Sequence, residues 1–382
     1  MPVDDALTAR ICRGVSAIGA DAWDRCVPEA NPFVSFGYLH AMEESGSAVG
    51  DTGWAPIPIL LGDEAAPRAI TPAYVKSHSY GEYVFDHGWA DAYERAGGRY
   101  YPKLQVAVPF TPVQGPRLLA SDASDRDALI QAIAATANQL ELSSAHVTFC
   151  NEDEARAFEE AGWLVRHGVQ YHWYDQGFGD FDGFLASLRS SRRKTIRRER
   201  RDAQAGGVEI EVLTGDLIEP HHVEAFYPFY RATIDKKIWG NLYLNRTFFA
   251  LLGSALRERI VLVMARQDER YVAGALHIRG EDTLYGRLWG SLADFRFLHF
   301  ELCYYQGIEL ALRWGLSRVE AGAQGEHKLQ RGYQPSRTYS AHLIRDRGLA
   351  EPVRHFVERE RHALAREMEA MQELLPFRRD GT

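Results

Sequence analysis

The densest group of reactive side chains lies in GAQGEHKLQRG, residues 322–332. Glu326, His327, Lys328 and Arg331 crowd four ionisable groups into six positions, and the glycines permit close backbone approach to a ligand. Acyl transfer to an amine needs a base for the amine's proton and stabilisation of the developing oxyanion. Glu326 or His327 would be that base, while Lys328 and Arg331 would hold an anionic donor or acceptor. The competing reading is a polar surface loop whose glycines only make tight turns. Glu320, at the end of the preceding strand, would point into a cleft instead.

A second set, His277, Tyr285, Arg287 and Trp289, falls on a hairpin turning at Gly280-Glu281-Asp282. Odd positions from 285 to 289 fall on one strand face. Tyr285 would donate a proton to a leaving group, and His277 and Trp289 would line the substrate; a core histidine is the plainer account of His277. A third set combines the alternating Lys76, His78, Tyr80 and Glu82 with a rigid path through Thr111 and Arg117, which suits a carboxylate- or phosphate-rich acceptor. An edge strand packed through its aromatic residues explains the same pattern equally well. A fourth is the run from Arg189 to Arg201, with eight basic residues and one acid. Arg193, Lys194, Arg197 and Arg198 would meet a polyanion, tRNA or an anionic membrane surface; a solvated helix face is the default. A fifth, Asp235–Gly240 with Tyr243, would gate a cleft or merely join two helices.

These groups need a scaffold of mixed helices and strands. Ser35 reads as the cap of a helix over 35–45, and Trp54–Leu61 as a strand that Pro56 and Pro58 confine to an edge. Ala73–Phe85 alternates like extended structure, 122–142 forms a long helix, and strands follow at 146–150 and 164–174. The second half repeats that grammar: one helix from Phe181 to Ala205, a strand at 208–213, helices at 216–237 and 245–257, and the hairpin. A helix at 300–314, strands at 318–321 and 339–344, and a closing helix over 352–374 complete it. Gly162-Trp163 and Gly332-Tyr333 each lead into a late strand and lie 170 positions apart. The pattern predicts an α/β protein with mixed sheets, built from a duplicated unit and divided into domains 1–175 and 176–382.

At 382 residues, with 46% hydrophobic and 25% charged side chains, the composition is that of a globular protein with two cores. Four scattered cysteines form no Cys-x-x-Cys pair, and no apolar run or leader-like start appears, so a cytoplasmic protein without a bound metal is expected. Cys150 and Cys303 sit in apolar settings unsuited to a nucleophilic thiol. The net charge of −8 opposes a DNA-coating function, yet the basic run stands out from that acidic body. Arginine dominates the basic residues throughout, so its abundance in the run is not itself a phosphate signature.

The order of elements in the second half resembles the GNAT acyltransferase fold, and two such units in one chain resemble the FemABX-like aminoacyltransferases. SHSYGEYVFDHGWADAY, YYPKLQVAVPFTPVQGPRLL, SSRRKTIRRER and VEAGAQGEHKLQRGYQPSRTYSAHLI are more specific. With them the chain resembles the FemAB-like predicted N-acyltransferases, linked by name to peptidoglycan biosynthesis or recognition. The resemblance implies tandem GNAT-like domains and transfer of an acyl or aminoacyl group to an amine, by direct attack in an inter-domain or C-terminal-domain cleft. It implies aminoacyl-tRNA or acyl-CoA as donor, no tightly bound cofactor, and a small molecule or cell-wall precursor as acceptor. In GNAT-like folds the strands corresponding to the hairpin splay apart at the acyl site. The stretch SLADFRFLHFELCYYQG, where a coenzyme-A enzyme has its glycine-rich pyrophosphate turn, has no glycine before Gly307. A non-catalytic protein that recognises cell-wall precursors on the same fold is the alternative function.

Overall fold

The structure is a computed structural model and describes residues 9–28, 31–236, 240–322 and 325–378. Lys237–Trp239 of the fifth cluster and Ala323-Gln324 of the glycine-rich loop lie outside the described residues. The described residues begin with β1 (Ala9–Ile11), α1 (Ala20–Cys26) and α2 (Phe36–Glu44). The Ser35 side chain caps α2 by accepting from the Tyr38 N–H, as expected. Next come β2 (Trp54–Pro56), β3 (Ile59–Asp63), β4 (Ala66–Thr71), β5 (Ala73–Lys76), α3 (His87–Arg95), β6 (Lys103–Val106) and β7 (Leu119–Ala120). The single strand expected over 54–61 is thus two strands in different sheets, parted at Ile57-Pro58. Only the first four residues of the expected 73–85 strand are extended as β5, and the rest is loop.

Asp122 caps α4 (Ala123–Gln139), which leads to β8 (Ser144–Cys150), α5 (Glu152–Glu160) and β9 (Leu164–Tyr174). The expected 181–205 helix is two helices, α6 (Phe181–Ser187) and α7 (Ser190–Ala203). Leu188 between them is extended and bridges to Phe377, while the Arg189 N–H donates to the Pro376 carbonyl. That tertiary pairing removes the intrahelical bonds a continuous helix would need. Then follow β10 (Glu209–Thr214), α8 (Pro220–Asp235), α9 (Arg246–Ala255), β11 (Ile260–Gln267), β12 (Arg270–Arg279) and β13 (Thr283–Ser291). A short α10 (Leu298–Phe300) passes through a π-helical turn, Glu301–Tyr305, into α11 (Gln306–Trp314). The chain closes with β14 (Arg318–Glu320), a 3-10 turn at Glu326–Arg331, β15 (Gln334–Ile344) and α12 (Arg347–Glu373).

Two compact units emerge, and neither is continuous in sequence. Unit 1 takes residues 1–168 and 337–365; unit 2 takes 169–336 and 366–382. The division therefore differs from a single boundary at 175/176, because β9, β15 and α12 each contribute to both units.

Within unit 1 the strands run in the order β2-β5-β6-β8-β15. Successive pairs are antiparallel, antiparallel, parallel and antiparallel. Unit 2 has β11-β12-β13-β14-β9, with β10 added at the outer edge and the same sequence of pair orientations. Each unit is thus closed by a strand from the other half of the chain. In unit 1 the apolar faces of Leu104, Val106, Ala145 and Val147 pack with Leu129, Ile133 and Phe158 of α4 and α5. In unit 2, Leu284, Val319, Tyr171 and Trp173 share a core with Leu302, Tyr305, Ile308 and Ala311. A second, smaller sheet, β1-β3-β4-β7, completes unit 1.

Candidate active site

The unit 2 sheet turns one face to α11. Across β13, β14 and β9 the opposite face carries a row of polar side chains. Tyr285 is paired in register with Glu320, and Glu320 with His172; Thr283, Arg318 and Tyr174 form the next row. Glu320 is 3% exposed, and neither of its carboxylate oxygens has a hydrogen-bond partner among the described residues. Arg318 lies 3.5 Å away through Nε, and the His172 Nδ1 lies at 3.9 Å. Burial pushes its carboxyl up to about 7, against the pull of Arg318 and Arg287. Burial, then the negative charge of Glu320, raises the Tyr285 phenol to about 12. Burial and the charges of Arg318 and Lys328 lower His172 to about 3.

This row lies where the sheet opens. The ladder between β13 and β14 holds only from Thr283 to Tyr285, although β13 continues to Ser291. The strands that part are therefore β13 and β14, whereas the β12–β13 hairpin stays paired, apart from a bulge beside Leu276 and His277. That bulge makes Arg287 an extra residue and corrects the expected shared face: Tyr285 lies beside Glu320, while Trp289 turns to the α11 side and packs at a tilt against His299, ring centroids 5.1 Å apart. Helix α8 covers β13 further along, where a Cβ on Gly290 would come within 1.8 Å of the Phe229 carbonyl oxygen. His277 is fully buried beside Gly307 on the α11 side, pushed down to about 4 by burial, and is not part of the polar row.

From Glu326 to Arg331 the glycine-rich segment is a 3-10 turn whose side chains bond to the π-helical turn. Arg331 is buried rather than turned to solvent. Its Nη2 donates to both Glu199 oxygens at 3.0 and 2.8 Å, its Nε to the Tyr305 hydroxyl, and its guanidinium stacks 3.5 Å from the Phe300 ring. The Tyr305 hydroxyl also donates to Glu199. His327 is hydrogen-bonded through Nε2 to the Tyr304 hydroxyl at 2.9 Å, and burial with the charges of Arg331 and Lys328 lowers its pKa. Glu326 is exposed. Lys328 is 1% exposed and donates to the Gly322 carbonyl at 2.9 Å, and burial lowers its ammonium to about 8. Of this set, Lys328 is the member whose charge reaches the polar row, through His172. Burial also drives the Cys303 and Cys150 thiols well above their usual range, as expected of inert cysteines.

In unit 1 the expected acceptor path is turned inward. Arg117 is 1% exposed and donates to the carbonyls of Thr148, Pro116 and Val113; Thr111 is buried against the Tyr38 hydroxyl at 2.9 Å. Glu82 is 4% exposed and accepts from Lys103 at 2.7 Å, and burial raises its carboxyl to about 7. Asp86 accepts from the same lysine and from the Tyr100 hydroxyl. Tyr80, by contrast, is 53% exposed.

The basic run lies on α7, as expected, but its charges are divided. Arg200 is committed to Glu301 and Glu309. Arg193 is half-buried and donates to the Leu188 carbonyl. Lys194, Arg197 and Arg198 are exposed, Arg197 lying 3.3 Å from Asp182. No cluster of metal-ligating side chains occurs among the described residues, and no helix there is long and apolar enough to cross a membrane.

Sequence comparison with family models matches residues 14–379 to the FemAB-like family, described as peptidoglycan biosynthesis/recognition. The chain belongs to that family. No curated protein matches it. Among solved structures, FemX is similar over 89% of this chain and 97% of its own, at 12% identity and a TM-score of 0.51. L-PGS from Bacillus licheniformis gives 9% identity and a TM-score of 0.50, covering 89% of this chain and 96% of that one. A conserved protein of unknown function from Bacteroides thetaiotaomicron gives 12%, a TM-score of 0.53, and coverage of 88% and 100%. At such identities the likeness is one of fold, and it agrees with the two matching strand orders: this FemAB-like chain is a tandem of mixed-sheet α/β units, consistent with the duplicated GNAT-like architecture expected. Sequence reasoning gave Glu320 only second place and missed His172 and Arg318. The signal for Glu320 was an isolated acid ending an apolar strand; His172 and Arg318 became visible only through the pairing of β9 with β14.

Proposed function

We propose that this FemAB-like protein transfers an acyl or aminoacyl group to an amine of a cell-wall precursor, at the polar row of unit 2. The observation that carries this reading is the position of Glu320. It is a buried carboxylate without a hydrogen-bond partner among the described residues, at the point where β13 and β14 part. In the proposed reaction Glu320 takes a proton from the acceptor ammonium. The freed amine attacks the carbonyl carbon of an ester or thioester, forming the C–N bond and an oxyanion. Collapse of the oxyanion breaks the C–O or C–S bond. Tyr285, protonated at neutral pH, gives its proton to the leaving oxygen or sulfur and recovers one from the new amide nitrogen. Lys328, Arg318 and Arg287 supply positive charge nearby.

Aminoacyl-tRNA fits the donor role better than acyl-CoA. Lys194, Arg197 and Arg198 offer exposed cations to a polyanion, and the stretch before α10 lacks the glycine turn that holds a pyrophosphate. The test is incubation with a nucleotide-linked muropeptide and either a charged tRNA pool or acetyl-CoA, followed by mass spectrometry. Wild-type protein should give an acylated muropeptide, and Glu320→Gln should lose it by at least a hundredfold. Tight muropeptide binding with no product from either donor would make this a recognition protein instead.

A further inference from the structure

The environment of Glu320 contains one neighbour whose hydrogen-bonding sense is set by a third residue. The His172 ring places Nε2 3.1 Å from the Gln170 amide oxygen. An amide oxygen can only accept, so Nε2 carries the ring's proton. Nδ1 is then a bare lone pair, and it faces Glu320 Oε1 at 3.9 Å and the Tyr174 hydroxyl at 3.5 Å. All three groups are held by the sheet itself: His172 is the register partner of Glu320, and Gln170 lies two residues back on the same side of β9.

We infer that His172 is a positioning residue for Glu320, an acceptor-only partner that receives the carboxyl's proton-bearing oxygen once Glu320 has taken the substrate's proton. The inference rests on Glu320 being the base of the proposed reaction. A lone pair directed at a carboxylate disfavours the anion and favours the acid, whose O–H has somewhere to point. His172 does not compete for the proton, because burial and the adjacent cations keep its imidazole neutral. Besides burial, the groups acting on Glu320 are Arg318 on its own strand, Arg287 on β13 and Asp282 in the turn before β13, with the Tyr285 phenol beside it; Tyr174 on β9 is the register partner of Arg318. The two arginines favour the carboxylate; without His172 nothing on β9 would oppose them. The Ser336 hydroxyl donates to the Gln334 carbonyl at 3.4 Å, which leaves its Oγ, 3.0 Å from the Tyr174 hydroxyl, to accept from Tyr174.

Two substitutions test this without a substrate. His172→Asn puts an amide N–H where the wild type has only a lone pair. Gln170→Leu removes the acceptor that fixes the tautomer, so Nδ1 can carry the proton and donate to Glu320. The protonated carboxyl of Glu320 is followed by its infrared C=O band, identified as the band absent from Glu320→Gln, across pH 5 to 9. Each of the two variants should lower the titration midpoint by about one pH unit. With an active acyl-transfer assay, the acid limb of the pH–rate profile should move by the same amount. An unchanged midpoint in both variants would overturn the inference and leave the role of Glu320 standing. A lowered midpoint for His172→Asn alone would discard the tautomer lock. Full turnover by Glu320→Gln would instead remove the proposed base, whatever the band does.

Discussion

His172 and His342 occupy the same station in the two units, 170 positions apart, each on the strand that closes its sheet. His172 is paired with the carboxylate of Glu320, whereas His342 is paired with a second imidazole, its Nδ1 2.7 Å from the Nδ1 of His146. On the other side of that station Tyr285 corresponds to Gln105. Duplication therefore preserved the row and changed its chemistry. Burial leaves His146, lowered to about 3, and His342 neutral, and their outer nitrogens are hydrogen-bonded to Ser144 and Ser340. No carboxylate in that row is left to accept a substrate proton. His146→Gln should consequently lower stability by about 1–3 kcal/mol through its broken hydrogen bonds, yet keep turnover within threefold in the muropeptide assay. A hundredfold loss of turnover in a folded His146→Gln protein would place chemistry in unit 1.

Glu320 also makes stability depend on pH. Its folded-state value is raised to about 7 from 4.5, so its favourable contribution is complete below the lower value and lost as pH rises through the upper one. A shift of that size corresponds to about 3 kcal/mol. Glu320→Gln should gain on the wild type by roughly that amount between pH 4.5 and 8, visible as diverging urea midpoints. Parallel midpoints across that range would mean that the carboxyl titrates normally.

Arg331 was a plausible anion ligand in the sequence, but its pairing with Glu199 makes a different forecast. Both side chains are more than nine-tenths buried, and removing one partner strands the other's charge. Arg331→Met should destabilise the protein by about 3–5 kcal/mol, and Glu199→Gln in the same chain should recover part of that loss. If Arg331 held a ligand instead, Arg331→Met would raise KM with little change in thermal midpoint.

Much of this architecture was legible because it depends on local chemistry. Ser35, Asp122 and Asn245 cap helices by accepting from their own first turns, and those helices appeared close to where they were read. The failures came from partners distant in sequence. Nothing near Leu188 signals a helix break, since the cause is Phe377; nothing near His277 signals the bulge that turns Tyr285 and Trp289 to opposite faces. The site suffered in the same way. Charge density singled out Glu326, His327 and Arg331, but burial distinguishes Glu320, and burial is a property of the folded sheet.

The basic helix offers a prediction that separates solvated charge from a binding surface. Arg200 is engaged with acids, and Arg193 caps a carbonyl, which leaves Lys194, Arg197 and Arg198 as the exposed cations among the residues proposed for a polyanion. If these three contact tRNA phosphates, neutralising them as Lys194→Gln, Arg197→Gln and Arg198→Gln should weaken binding at least tenfold at moderate salt. The slope of log affinity against log salt should become shallower by about two to three, since each contact releases close to one counterion. Arg197 contributes least if its pairing with Asp182 persists in the complex. The fold should be indifferent to the change, because exposed ion pairs contribute little to stability. Filter binding of a charged tRNA pool between 50 and 200 mM salt makes the measurement, and an unchanged slope would return this helix face to solvent.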